Sequence, residues 1–298
     1  MLFPAKYLPE ISNIFQPKLG TILISYRCDN NCIFCAPAPK RSKGGILENK
    51  VVLDWINRYT QKELFLVSLS GAGDPLYNKN IFRYIEMLRD KGIVPYVYTN
   101  GQLITKSISK KLLQAGLSDI LLSIHGPNNK IHDYHTSNEG SFFKAINSMQ
   151  LLLDSGFYIQ TNTVITRWNI DLLEEMIDLM MVRYHIHEMA FSYPEIRGNV
   201  HNCTEMIINY QAVRCPLEKA IMETIKFDKK LILDNLPLCL LGNRDYLTMP
   251  DVDIYYKDDF YDTVIKPSKN GRRYLDKCEN CPEINKCIGI DINYPYDF

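Results

Sequence analysis

Ser25-Tyr26-Arg27-Cys28-Asp29-Asn30-Asn31-Cys32-Ile33-Phe34-Cys35 packs three cysteines into eight residues, spaced C-x3-C-x2-C, directly behind the apolar run Thr21-Ile22-Leu23-Ile24-Ser25-Tyr26. A run of that length reads as a buried strand, so the cysteines fall on the loop leaving its carboxyl end. Three thiolates on one loop can hold three irons of a cubane and leave the fourth iron open to a ligand. A structural zinc site wants four ligands and is closed. On this stretch alone, half a zinc site and three unrelated core thiols stand beside the open cluster.

The chain around it has 298 residues and is 46% hydrophobic, enough for one large α/β domain with an appendage. Its 34 basic and 34 acidic side chains balance, so no nucleic-acid partner is expected. The cysteine count is odd, nine in all, in two clusters plus Cys203, Cys215 and Cys239. That is not the framework of a secreted disulfide protein. The first residues show no charged segment leading into a long apolar stretch, and no run of about 18 apolar residues follows anywhere. A reducing cytoplasm, without a membrane span, is the expectation.

Outward from the cysteines, strands and helices alternate. Pro37 to Gly45, with Lys40, Arg41 and Lys43, reads as a solvated loop whose cations could draw an anionic group. Leu64 to Leu69 is an apolar run ending in Ser70-Gly71-Ala72-Gly73-Asp74-Pro75. Val94 to Tyr98 ends in Thr99-Asn100-Gly101, and Asp119 to Ile124 ends at His125-Gly126. Phe157 to Thr166 and Met189 to Tyr193 supply the fifth and sixth strands. Helical spacings lie between them, including one with Ser141 as its cap, and beyond about residue 200 the alternation stops, with a last helix from about Thr204 to Ile225. Six strand–helix units in about 180 residues are too few for a closed eight-unit barrel. The expected fold is α/β, a partial (β/α)6 barrel with ligands at the carboxyl ends of its strands. Residues 1–20 read as an arm, 21–200 as the core and 201–298 as an extension.

The cysteine spacing, with aromatic Phe34 before Cys35, resembles the radical S-adenosylmethionine (SAM) enzymes. The resemblance implies a 4Fe-4S cluster on Cys28, Cys32 and Cys35 whose free iron chelates the amino and carboxylate groups of SAM. An electron from a flavodoxin or ferredoxin then gives methionine and a 5′-deoxyadenosyl radical. Gly71-Ala72-Gly73-Asp74 is similar to the family's Gly-Gly-Glu motif for the SAM amino group, with Ala72 and Asp74 departing from it. By the same likeness Thr99, Asn100, Ser123, Asn162 and Thr163 are expected at SAM. His125, Tyr193, Glu195 and Arg197 are pocket candidates. Each has a plainer reading: a Gly-Asp-Pro turn, an Asn-Gly turn, a packed histidine, barrel filling, or surface loop.

Towards the C-terminus, Cys278-Glu279-Asn280-Cys281 and Cys287 make C-x2-C-x5-C, and Cys239 follows Pro237. Four thiolates suit zinc or a second iron–sulfur cluster, and spacing favours neither. The pattern resembles the twitch extension, the half-sized relative of the SPASM domain. That implies one auxiliary 4Fe-4S cluster on Cys239, Cys278, Cys281 and Cys287, with Cys215 as the alternative to Cys239. A saturated auxiliary cluster implies net oxidation of the substrate radical, and the expected substrate is a small polar metabolite or natural-product intermediate. Alternatives are a peptide- or protein-modifying maturase, a molybdopterin-precursor-type cyclase with an open auxiliary cluster, and a non-enzymatic zinc or iron–sulfur module. Only 27 residues precede Cys28, which leaves no room for a leader-binding domain and tilts the expectation from peptide to small molecule. The acidic, aromatic stretch Asp251 to Asp262 reads as a connecting loop that could greet a cation.

Overall fold

The six apolar runs become six parallel strands in sequence order: β1 (Leu19–Ser25), β2 (Leu66–Gly71), β3 (Val94–Thr99), β4 (Asp119–Ser123), β5 (Tyr158–Val164) and β6 (Glu188–Ser192). The computed structural model describes residues 1–12, 19–41, 45–229, 231–241, 246–249, 254–257, 262–266 and 271–296. Lys43, and residues 251–253 and 258–261 of the acidic stretch, lie outside the described residues. The helices are α1 (Leu8–Ser12), α2 (Ala38–Arg41), α3 (Asn49–Gln61), α4 (Ile81–Asp90), α5 (Lys106–Ala115), α6 (Asn129–Thr136), α7 (Ser141–Asp154), α8 (Leu173–Ile177) and α9 (Tyr210–Ile225). Parallel neighbours need such crossovers, and apolar helix residues such as Val52, Ile85, Leu112 and Met149 pack on the outer sheet face in one core. Among the described residues no helix is long and apolar enough to cross a membrane.

The alternation runs further than the sequence predicts. The last helix begins at Tyr210 rather than Thr204, after two tight turns at Gly198–Asn202 and Thr204–Met206. It returns the chain to β7 (Leu231–Asp234), parallel to β6, and β8 (Tyr246–Thr248) follows beside β7. On the opposite edge, β9 (Ile254–Lys257) pairs in parallel with β1, and β10 (Asp262–Ile265) pairs antiparallel with β9. The sheet order is β10-β9-β1-β2-β3-β4-β5-β6-β7-β8, and no hydrogen-bonded ladder closes it among the described strands. Thr248 and Ile254 are six positions apart, so the two edges lie within roughly 20 Å of each other. The sheet is a curled, open barrel. Ser141 is not the cap of α7 either. Gly140 occupies that position, and Asp133 of α6 accepts from the Gly140 and Phe142 amides at 2.7 and 2.8 Å.

Inside the curl, side-chain alternation sorts residues into two tiers. Leu19, Leu66, Tyr96, Leu121, Ala190 and Ile232 point inward and pack on Leu2 and Phe3 of the N-terminal arm, as do Leu247, Met249 and Ile254 from both edges. Polar groups tie the arm down. Glu188 accepts from the Ala5 amide (2.8 Å), the Tyr158 hydroxyl (2.8 Å) and Gln160 Nε2 (3.0 Å), and Gln160 also donates to the Phe3 carbonyl. Burial pushes the Glu188 carboxyl up despite these donors. Two residues further along the same strands, the inward positions are Thr21, Ser68, Tyr98, Ser123, Asn162, Ser192 and Asp234. The arm therefore plugs the amino end, and a polar cup remains at the carboxyl end. Phe3 is 1% exposed, so Phe3→Ala should cost about 3–5 kcal/mol. Urea unfolding of the apo-protein checks this; an unchanged midpoint would mean the arm does not fill the barrel.

Candidate active site

The cysteine loop is held by hydrogen bonds on three sides. Asn31 and Ile33 donate their amides to the Thr136 and His135 carbonyls at the end of α6, at 2.8 and 3.0 Å. Asn199, beyond β6, donates its amide to the Cys35 carbonyl (3.0 Å) and its side chain to the Cys32 carbonyl (2.8 Å). Arg41 donates to the Asn30 carbonyl and Asn31 Oδ1, both at 2.6 Å. Gly198 sits at φ +64°, and a Cβ there would lie 2.3 Å from the Ala36 carbonyl oxygen. Only glycine permits that approach.

The turn after β2 is pressed against the loop's entry. Gly73 and Asp74 donate their amides to the Ser25 and Arg27 carbonyls at 3.1 and 2.7 Å. A Cβ on Gly71 would meet the Ser25 oxygen at 2.4 Å, and one on Gly73 the Arg27 oxygen at 1.9 Å. Ala72 is buried with Leu23 and Tyr26. The Asp74 side chain is 3% exposed. Its carboxylate accepts from the Leu76 amide (2.9 Å), the Thr99 hydroxyl (2.7 Å) and the Asn100 amide (2.8 Å). Burial raises its carboxyl, and those three donors oppose the rise. Asp74 and Thr99 thus face each other, and Asn100 turns its side-chain Nδ2 to Cys28 Sγ at 3.4 Å.

The strand-end candidates divide by face. Ser123 and Asn162 share the inward phase, side by side in register. Asn162 Oδ1 accepts from the Ser192 hydroxyl at 2.8 Å, and that hydroxyl also reaches Asp234 Oδ2 at 3.4 Å. Tyr98 of β3 shares the inward phase, and its hydroxyl donates to the Leu2 carbonyl of the arm. Thr163 points the other way, donating to the Ile124 carbonyl at 2.6 Å. Phe34 lays its ring edge-on to His125, centroids 4.6 Å apart. His125 is buried; its Nδ1 accepts from the Val164 amide (3.2 Å), which leaves its proton on Nε2. Burial first, then His132 and His135, drive His125 well below the usual histidine value, so it is neutral at pH 7. Tyr193 is not brought to the cup: it is 2% exposed and its hydroxyl donates to the Ile208 carbonyl. Glu195 and Arg197 pair with each other at the surface.

Asp234, Ser192, Asn199 and Gly198 are the site residues that sequence reasoning missed. Asp234 ends the apolar run Leu231-Ile232-Leu233, so the strand-end rule applied to the earlier strands would have found it. Asn199 and Gly198 carry no local signal, because their roles come from contacts 162 to 167 positions away.

The C-terminal thiols form a second group. Cys239, Cys278, Cys281 and Cys287 line one cavity with Pro237, Leu275 and Ile284. The Leu238 and Gly289 amides point at Cys287 Sγ at 3.5 and 3.4 Å. Burial raises the Cys239 thiol, and Cys287 adds to the rise. Cys215 is exposed on α9, outside this cavity, and Cys203 lies beside Glu205.

The donor set of the first loop fits an iron–sulfur cluster. Burial pushes all three thiols up, and Cys35 and Cys28 push Cys32 further. Three half-buried thiols spaced along one loop suit a shared cationic partner, which would favour their thiolate form. Among the described residues no three His, Cys, Asp or Glu side chains converge on a single-ion position. Gly73→Ala should destabilise the loop by more than the ~1–3 kcal/mol of ordinary overpacking, and reconstituted protein should hold less iron than wild type. Wild-type iron content in that variant would contradict the described contact.

A model of the radical SAM superfamily matches residues 22–180, over half of the chain. An AdoMet-dependent heme synthase of Methanosarcina barkeri is 28% identical over 188 residues, 61% of this chain and 53% of that protein. A PqqA peptide cyclase of Rhizobium meliloti is 21% identical over 238 residues, 78% of this chain and 62% of that protein. The chain spans about half the length of the heme synthase. Streptococcus suis SuiB bound to S-adenosylmethionine superposes with a TM-score of 0.68 at 16% identity, over 96% of this chain and 75% of that chain, a likeness of fold. With three spaced thiols on the loop after β1 and the family match beginning in that strand, the chain belongs to the radical SAM superfamily.

Proposed function

We propose that this radical SAM enzyme abstracts hydrogen from a polar substrate held in the cup above the N-terminal plug, with net oxidation. The observation that carries it is the position of the cup: the clustered thiols and the inward polar side chains Ser123, Asn162, Ser192 and Asp234 share the carboxyl ends of the strands. Cys28, Cys32 and Cys35 would hold the 4Fe-4S cluster, which would supply the electron, taken from a flavodoxin or ferredoxin, for reductive cleavage of SAM. The tight turn Gly71-Ala72-Gly73 offers backbone to the SAM ammonium. Asp74 and Thr99 hold that turn against β3 rather than reaching the ligand themselves. Ser123 and Asn162 present short polar groups suited to the ribose. Phe34, backed by His125, shields the thiol loop from water.

Cys239, Cys278, Cys281 and Cys287 would hold the auxiliary 4Fe-4S cluster in residues 201–298, a four-thiolate acceptor for the substrate's electron. Asp234 supplies the cup's carboxylate, with Ser192 beside it. A carboxylate there selects an ammonium or hydroxyl on the substrate, and a small polar molecule fits that chemistry. A peptide side chain is the second reading, favoured by similarity to PqqA peptide cyclases.

Iron counting tests the cofactor assignment. Reconstituted wild type should hold about eight irons per chain. Cys28/Cys32/Cys35→Ala and Cys239/Cys278/Cys281/Cys287→Ala should each lose about half. Full iron retention by the second variant would remove the auxiliary cluster. Deuterium transfer from labelled compounds into 5′-deoxyadenosine tests the substrate. The compound that transfers should carry an amine or hydroxyl, and Asp234→Asn should lower its kcat/KM by about tenfold or more, as loss of one charge-assisted hydrogen bond implies. Unchanged kcat/KM would take Asp234 out of substrate recognition.

A further inference from the structure

Asn100 has both ends of its side-chain amide engaged by the protein. Its Oδ1 accepts from the Gln102 amide at 3.0 Å. Since that partner can only donate, the amide orientation is fixed, and Nδ2 is the atom at 3.4 Å from Cys28 Sγ. The backbone is fixed as well. The Asn100 amide donates to Asp74 Oδ2, and Gln102 Nε2 bridges the Asn100 and Ser141 carbonyls at 3.4 and 3.0 Å. The donor therefore stands at the sulfur before any ligand arrives, delivered from β3 to a loop that follows β1.

We infer that Asn100 is a positioning residue that donates its side-chain N–H to the Cys28 sulfur and thereby raises the reduction potential of the cluster on Cys28, Cys32 and Cys35. The inference rests on the three-thiolate assignment proposed above. Hydrogen bonds to cluster sulfurs are among the protein's levers on potential. An N–H dipole stabilises negative charge on the ligand sulfur, and the reduced cluster carries more of it. The donor thus favours the reduced form and eases electron delivery from a protein donor. Asp74 acts one step further out, by holding the Asn100 backbone.

The test compares wild type, Asn100→Leu and Asn100→Asp, each reconstituted anaerobically and titrated without SAM. Midpoint potentials are read from the reduced-cluster EPR signal that changes when SAM is later added, which separates this cluster from the auxiliary one. Asn100→Leu keeps the volume and loses the donor; Asn100→Asp replaces it with a negative charge. The expected order is wild type least negative, then Leu, then Asp. A variant that takes up less iron is titrated on its loaded fraction. Unchanged potentials in both variants would overturn the inference. So would weakened SAM affinity at unchanged potential, which would make Asn100 a SAM contact, or loss of all iron from both, which would make it a folding residue. Failure of wild type to assemble any SAM-responsive cluster would instead sink the three-thiolate assignment.

Discussion

One buried carboxylate joins three strand ends. Asp74 takes hydrogen bonds from the amide two residues on in its own turn, from Thr99 at the end of β3, and from the amide of Asn100. Its own amide is bonded to the Arg27 carbonyl at the mouth of the cysteine loop. An unpaired charge at that depth would be costly, so the turn can close only with all its donors present. Once closed, it fixes where the cysteine loop leaves β1 and where Asn100 meets Cys28. The family's motif has a glutamate where this chain has Asp74. The shorter side chain still reaches the Leu76 and Asn100 amides and the Thr99 hydroxyl.

The second constraint is the filling of the barrel. A curled sheet leaves an interior that must be packed or wet. Here the N-terminal arm packs the lower tier through Leu2 and Phe3, and the alternation of side chains along each strand makes the next tier polar. That division puts the cup and the clustered thiols at the same end. The C-terminal segment serves the same architecture, adding β7 and β8 to one edge and β9 and β10 to the other. It also braces the thiol loop indirectly: Asp291 and Asn293 bond the backbone of Ile196, two residues before the glycine that touches Ala36.

The strands were legible because buried parallel strands are continuous apolar runs, and the cysteines because ligand spacing survives any uncertainty in the fold. The parallel partial barrel followed from counting units. What sequence could not give was face and depth. Thr163 and Asn162 are neighbours in a polar stretch, yet one bonds the β4 backbone and the other enters the cup. Tyr193 follows a strand like the other candidates but packs against Tyr210 and Tyr294. Ser141 has the residue type of a cap, and Asp133 from the preceding helix supplies the acceptor instead. The close approach of Gly198 to the thiol loop depends on chain segments far apart in sequence. Local patterns cannot encode such contacts.

Radical SAM chemistry on the Cys28, Cys32 and Cys35 loop is open to direct assay. The most direct measurement is formation of methionine and 5′-deoxyadenosine from SAM by anaerobically reconstituted protein given dithionite, beside Cys32→Ala. Both products are expected in equal amounts from wild type and neither from the variant. An iron-loaded wild type that binds no SAM and forms no 5′-deoxyadenosine, or a Cys32→Ala chain that forms it as wild type does, would contradict that chemistry on this loop.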